Sequence, residues 1–137
     1  MSHLKYYNYP GFGEKMADIY SQAVRVGDRV ECAGQGGWDP ATGIVSETST
    51  QLDQIEQAFK NVDMNLKQAG AERGWGQVFR VNSYHIPLNG EVIEKVKTEI
   101  AKWCGKKHRP IWTAVEVPRL GLENMKVEIE VSAHVGD

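Results

Sequence analysis

The C-terminal stretch RPIWTAVEVPRLGLENMKVEIEVSAHV, residues 109–135, constrains the fold more than any other part of the chain. From Lys126 to Val135 the residue types alternate without a break. Val127, Ile129, Val131, Ala133 and Val135 fall on one side, and Lys126, Glu128, Glu130, Ser132 and His134 on the other. Successive side chains of a strand point to opposite faces, so this is a strand with one face in a core and one outside it. Ile111 to Val117 alternates too, and the two runs read as a closing pair of strands joined by a short connection. The outer face of that pair is expected to carry Trp112 and Ala114 beside the strand carboxylates. An uncovered tryptophan on an open sheet is a liability, so a second copy of the chain is expected to bury this face.

The remaining elements follow from local pattern. Residues 1–15, rich in Tyr, Gly and Asn, show no periodicity and read as an N-terminal arm; residues 16–135 read as one domain. Met16 to Val26 and Arg29 to Ala33 flank a Gly27-Asp28 turn, and GQGGWDPATGIV is loop. Ser49 or Thr50 caps a helix running to about Ala69 and stopped by Gly70. Its apolar stripe is Leu52, Ile55, Phe59, Val62 and Leu66. Val78 to His85 has strand composition, and Glu91 to Cys104 is a second amphipathic helix ended by Gly105. The order strand, strand, helix, strand, helix, strand, strand predicts an α+β layer, with both helices on one face of a mixed sheet.

Several chemistries find no support in the sequence. A net charge of -2 without a basic stripe argues against nucleic acid as a partner. There is no signal-like N-terminus and no apolar run of membrane-spanning length, so a cytoplasmic, membrane-free protein is expected. His3, His85, His108 and His134 lack metal-ligand spacing, Cys32 and Cys104 read as free buried thiols, and the glycine loop lacks either phosphate-binding pattern. What remains is a set of strand carboxylates, Glu116, Glu128 and Glu130, each unremarkable alone.

The stretch AGQGGWDPATGIV, the Gln51 to Gly70 helix and TAVEVPRLGLENMKVEIEVSA together resemble the YjgF/Rid family, the L-PSP endoribonuclease-like or reactive-intermediate deaminases, over roughly residues 16–135. The resemblance implies a chorismate-mutase-like fold and a homotrimer whose open sheet faces form an inner barrel, with clefts between adjacent subunits. In deaminating members those clefts hydrolyse enamine or imine intermediates to a 2-keto acid and ammonia, with no metal or cofactor. An arginine on the penultimate strand binds the substrate carboxylate, and a glutamate on the last strand positions water. A tyrosine and the glycine loop complete the cleft.

Carried over residue by residue, the glutamate falls on Glu130, the second carboxylate of VEIE, the tyrosine on Tyr20 and the loop glycine on Gly34. The arginine position holds Trp112, which cannot neutralise a carboxylate. Arg109, three residues earlier, is expected on the opposite strand face and displaced by about 10 Å. Arg119 is expected in a surface connection, and Lys95 and Val96 stand where deaminating members carry an asparagine. The resemblance thus implies clefts lined by Tyr20, Gly34, Trp112, Ala114 and Glu130 that bind a small metabolite less anionic than a 2-imino acid, with Glu130 as general base in any hydrolysis. A non-catalytic ligand-binding or protein-interaction role, chaperone-like or translation-related, is the alternative. Endoribonuclease activity is implied by the family name alone.

Overall fold

The computed structural model describes residues 3–136. In chain order the elements are β1 (Lys5–Tyr7), α1 (Phe12–Lys15), β2 (Ala23–Val26), β3 (Arg29–Cys32), β4 (Gln35–Gly36), α2 (Gln51–Gln68), β5 (Val78–His85), α3 (Gly90–Cys104), β6 (Ile111–Glu116) and β7 (Val127–His134). A single 3₁₀ turn, Gly74–Gln77, leads into β5. The sheet runs β1-β2-β3-β7-β5-β6, with β4 also pairing β7; β5 and β6 are parallel and every other pairing is antiparallel.

The closing strands β6 and β7 are therefore not neighbours, contrary to the reading of a closing pair, because β5 lies between them. Parallel strands need a crossover, and α3 provides it between β5 and β6. The connection 117–126 then passes the end of β5, where Val117 N donates to His85 O at 3.0 Å and Ile86 N to Lys126 O at 3.0 Å.

Register overturns a second expectation. Trp112 lies opposite Val81, and Ala114 opposite Ser83. Val81 and Ser83 are buried on the helix side of β5. Trp112 and Ala114 consequently face the helices, and the open side of β6 carries Ile111, Thr113 and Val115. The apolar residues left uncovered there are Ile111, 56% exposed, and Val115, 39% exposed, with Tyr6 on β1 at 54%.

Both long helices cover the opposite face. Thr50 and Asp53 close a capping box at the start of α2, which buries Ile55, Ala58, Phe59, Val62 and Leu66 on the sheet. Gly70, at φ +101°, takes the chain out of the helix. Phe59 stacks on Trp75 with ring centroids 4.5 Å apart.

The N-terminal segment is more than an arm: β1 joins the sheet edge, and Tyr9 and Phe12 are buried with Trp38, Val45 and Met125 in a second, smaller core. The strand read from Met16 to Val26 begins only at Ala23, because residues 16–20 turn, Ile19 N and Tyr20 N both reaching Met16 O.

Candidate functional site

Polar side chains of α2 reach under the glycine loop and fix it. Asn61 Nδ2 donates to Gly36 O and Trp38 O, both at 2.9 Å, and Asn65 Nδ2 to Gln22 O at 2.9 Å. Gln35 is fully buried between Tyr9, whose hydroxyl donates to its Oε1 at 2.8 Å, and Gln22, whose Oε1 accepts from its Nε2 at 2.8 Å. These bonds hold β4 in register with β7, Gly36 opposite Glu128 and Gln35 opposite Ile129.

Gly34, just ahead of β4, lies against the Glu128 side chain. A Cβ on residue 34 would stand 2.6 Å from Glu128 Cγ and 2.7 Å from Cδ, and would collide with Oε1 as well. Tyr20 and Glu128 line one cavity of about 200 Å³ together with Phe12, Met16, Trp38 and Leu122. Burial raises the Glu128 carboxyl above the ordinary glutamate value, and the charge of Glu130 raises it further. A half-buried carboxyl of this kind, beside a cavity and near a phenol, can exchange a proton with a bound water closer to neutral pH than an exposed one.

Glu130, the carboxylate assigned from the resemblance, occupies the next outward position on β7. Tyr84 Oη donates to its Oε1, and Asn82 Nδ2 donates to the same oxygen at 3.3 Å. Tyr84 is pushed up to about 12 by that bond, with burial adding to it. Tyr20 and Gly34 are thus brought to Glu128. The alternation of VEIE places both carboxylates outward and does not separate them; the contact of Glu128 with Gly34, just ahead of the two-residue strand β4, does, and nothing in the composition of β4 marks it as a strand.

Trp112 and Ala114 belong to a different group, on the helix side of the sheet. Trp112 Nε1 donates to Ser83 Oγ at 2.8 Å, and Ser83 Oγ lies 2.8 Å from His85 Nε2. His85 is fully buried, and burial pushes its imidazole down to about 4, so it is neutral at physiological pH. With Lys97, Ile100, Ala101, Arg109 and Pro110, Trp112 lines a groove of about 350 Å³. Arg109 therefore shares a groove with Trp112, although strand alternation placed it on the opposite face. It precedes the first residue of β6, so alternation does not govern it. Arg119 lines a separate cavity with Leu122 and Lys126 in the connection before β7. Within one chain, β5 separates the Gly34–Glu128 group from the Trp112 group, and the two open on opposite faces.

Among the described residues no cluster of His, Cys, Asp or Glu is placed to hold a metal ion, and no helix is long and apolar enough to cross a membrane. Cys32 and Cys104 are free and buried, and burial pushes their thiols up to about 12 and about 11, far from thiolate reactivity.

Comparison with known proteins places this geometry in context. The family model described as Endoribonuclease L-PSP matches residues 14–135. A RutC family protein of Pyrococcus abyssi is 31% identical over 115 residues, 84% of this chain and 85% of that protein. Among solved structures, Rv2704 of Mycobacterium tuberculosis, a member of the YjgF/YER057c/UK114 family, superposes with a TM-score of 0.75 at 28% identity, covering 96% of this chain and 99% of that one. RidA from the Antarctic bacterium Psychrobacter sp. PAMC 21119 superposes with a TM-score of 0.72 at 27% identity, covering 85% and 89%.

Proposed function

The chain belongs to the Endoribonuclease L-PSP family, the YjgF/Rid proteins, and from that premise we propose that it is a homotrimeric, cofactor-free hydrolase of the enamine or imine deaminase type, acting on a small metabolite in clefts between subunits. Each cleft takes Tyr20, Gly34 and Glu128 from one subunit and Trp112 and Ala114 from the next. The observation that carries this reading is the placement of Glu128 against Gly34 and on one cavity with Tyr20. Glu128 takes a proton from water as the oxygen adds to the C=N carbon. Returned to nitrogen, that proton gives the carbinolamine; the proton of its new hydroxyl then passes through the same carboxylate to nitrogen as the C–N bond breaks, so that ammonia leaves and a carbonyl remains. The water-handling role assigned to Glu130 thus passes to Glu128, and Glu130, held by Tyr84 and Asn82, adds the like charge that keeps the Glu128 carboxyl raised. Three outward apolar residues, Tyr6, Ile111 and Val115, support a covered sheet face.

The test is ammonia release from freshly generated enamines with small and with aromatic side chains. Glu128→Gln is expected to abolish turnover and Glu130→Gln to retain a measurable part of it; the reverse order would overturn the assignment. Sedimentation equilibrium should give three times the 15.3 kDa chain mass. A non-catalytic ligand-binding role is the second reading, supported by the resemblance, which sets Trp112 where it implies an arginine for the substrate carboxylate, and ligand binding without ammonia release would support it.

A further inference from the structure

The groove between α3 and the start of β6 is apolar at its floor and cationic at its rim. Ile100, Ala101 and Trp112 form the floor, and Lys97 and Arg109 supply the charge, with Pro110 beside them. Trp112 has one hydrogen-bond donor and spends it on Ser83, so its indole offers the groove only an apolar surface. Arg109 Nη1 donates to the backbone carbonyls of Gly105 and, at 2.7 Å, of His108. These contacts hold the guanidinium without neutralising it, and no carboxylate pairs with Arg109 among the described residues. Lys97 pairs with Glu94 at 2.9 Å, but both side chains are more than half exposed, and solvent screens such a pair.

From this arrangement we infer that the groove binds an organic anion with a flat apolar body, an aromatic carboxylate in the simplest case. The body lies on Trp112 and Ile100 and the anionic head meets Arg109 and Lys97. A cationic ligand stacked on the indole would face two like charges, and a neutral one would leave both cations without a partner. Where the resemblance implies an arginine, this groove carries its positive charge on Arg109 and Lys97 beside the flat apolar face of Trp112. The inference rests on the reading of Trp112 as a wall of the cleft, and names the ligand class that wall takes.

The test uses three probes of one shape: naphthalene-2-carboxylate, naphthalene-2-methanol and the naphthalen-2-ylmethylammonium ion. Binding to the full chain is followed through the indole N–H resonance of Trp112. The carboxylate is expected to bind about tenfold more tightly than the alcohol, the ammonium ion most weakly, and added salt should narrow the gap. Arg109→Gln and Lys97→Gln should each weaken carboxylate binding and leave alcohol binding unchanged. Arg109→Gln could loosen the end of α3, which thermal melting would reveal; Lys97→Gln, at an exposed position, keeps the test intact. Equal affinity for acid and alcohol, indifference to both substitutions, or shifts confined to Tyr20 and Glu128 would each overturn the inference. Charge-dependent binding without ammonia release would overturn the deaminase reading alone. Ammonia release without charge discrimination would overturn this one alone.

Discussion

Glu128 fills the space that a side chain on residue 34 would need, with its Cγ and Cδ 2.6 and 2.7 Å from the position of a Cβ. The contact links the glycine loop to the last strand, and it makes Gly34 a requirement of the site. Gly34 stands outside the left-handed region, so the constraint is one of space alone.

Gly34→Ala should accordingly act through the carboxylate. The methyl group displaces Glu128 from the cavity it shares with Tyr20, and turnover is expected to fall about 10²-fold, as it does when a reacting group moves by about 1 Å. Destabilisation should stay within about 1–3 kcal/mol, the usual cost of overpacking. Steady-state kinetics beside chemical denaturation would separate the two, and a variant with full activity would show that the Glu128 position does not matter.

Glu128 also predicts a pH dependence of stability. Its carboxyl titrates above the ordinary value of 4.5 in the folded chain, because burial and then Glu130 oppose ionisation. Below 4.5 the group is protonated in both states and its contribution is fully present. As pH rises through the raised folded value that contribution is lost, because the unfolded chain ionises more easily. Glu128→Gln should therefore gain stability relative to the natural chain across that window and run parallel to it above. Denaturant midpoints over a pH series measure the difference, and a flat difference would contradict it.

Tyr84 should ionise late. Its hydroxyl donates to Glu130 and its pKa is pushed up to about 12 from the ordinary 10.0. The ultraviolet difference titration between the natural chain and Tyr84→Phe isolates that phenolate. Glu130→Gln is expected to bring it back toward 10.0, while burial keeps it somewhat above. A step already near 10.0 in the natural chain would show that the bond to Glu130 does not form.

Ser83→Ala removes the hydroxyl that stands 2.8 Å from both Trp112 Nε1 and His85 Nε2. Two polar nitrogens then lose their partner in a buried place, at a cost of about 1–3 kcal/mol. Thermal melting should show the loss, and Trp112 should become mobile on its groove. An unchanged melting temperature would mean that water replaces the hydroxyl.

The parts of this fold that the sequence makes legible are those set by local rules. A cap at Ser49 or Thr50 announces the start of α2, with Thr50 the one that caps it, Gly70 marks its end, and Val78 to His85 matches β5 residue for residue. Alternation also assigns inner and outer sides within β7. It cannot give the phase between strands, and that is where Trp112 and Ala114 change sides: β6 takes its phase from β5, which pattern alone does not place between β6 and β7. Arg109 is misread for a related reason, since it lies just ahead of the strand whose alternation would have governed it. Glu128 and Glu130 share an outward side, and only the long-range side-chain contact between the glycine loop and β7 shows that Glu128 is the one that meets Gly34. The Lys5–Tyr7 strand is too short to carry a period, and its place is set by pairing with β2 and by the burial of Tyr9 nearby.

The position of β5 between β6 and β7 has a consequence for inheritance. If the clefts are shared as proposed, the strand with the acid and the strand with the indole serve different sites, and no copy of the chain completes one alone. Two defective copies, one altered at Glu128 and the other at Trp112, could then complement each other inside a mixed assembly, because some clefts would draw an intact half from each. A gene for this protein would show allelic rescue between lesions that lie in one domain.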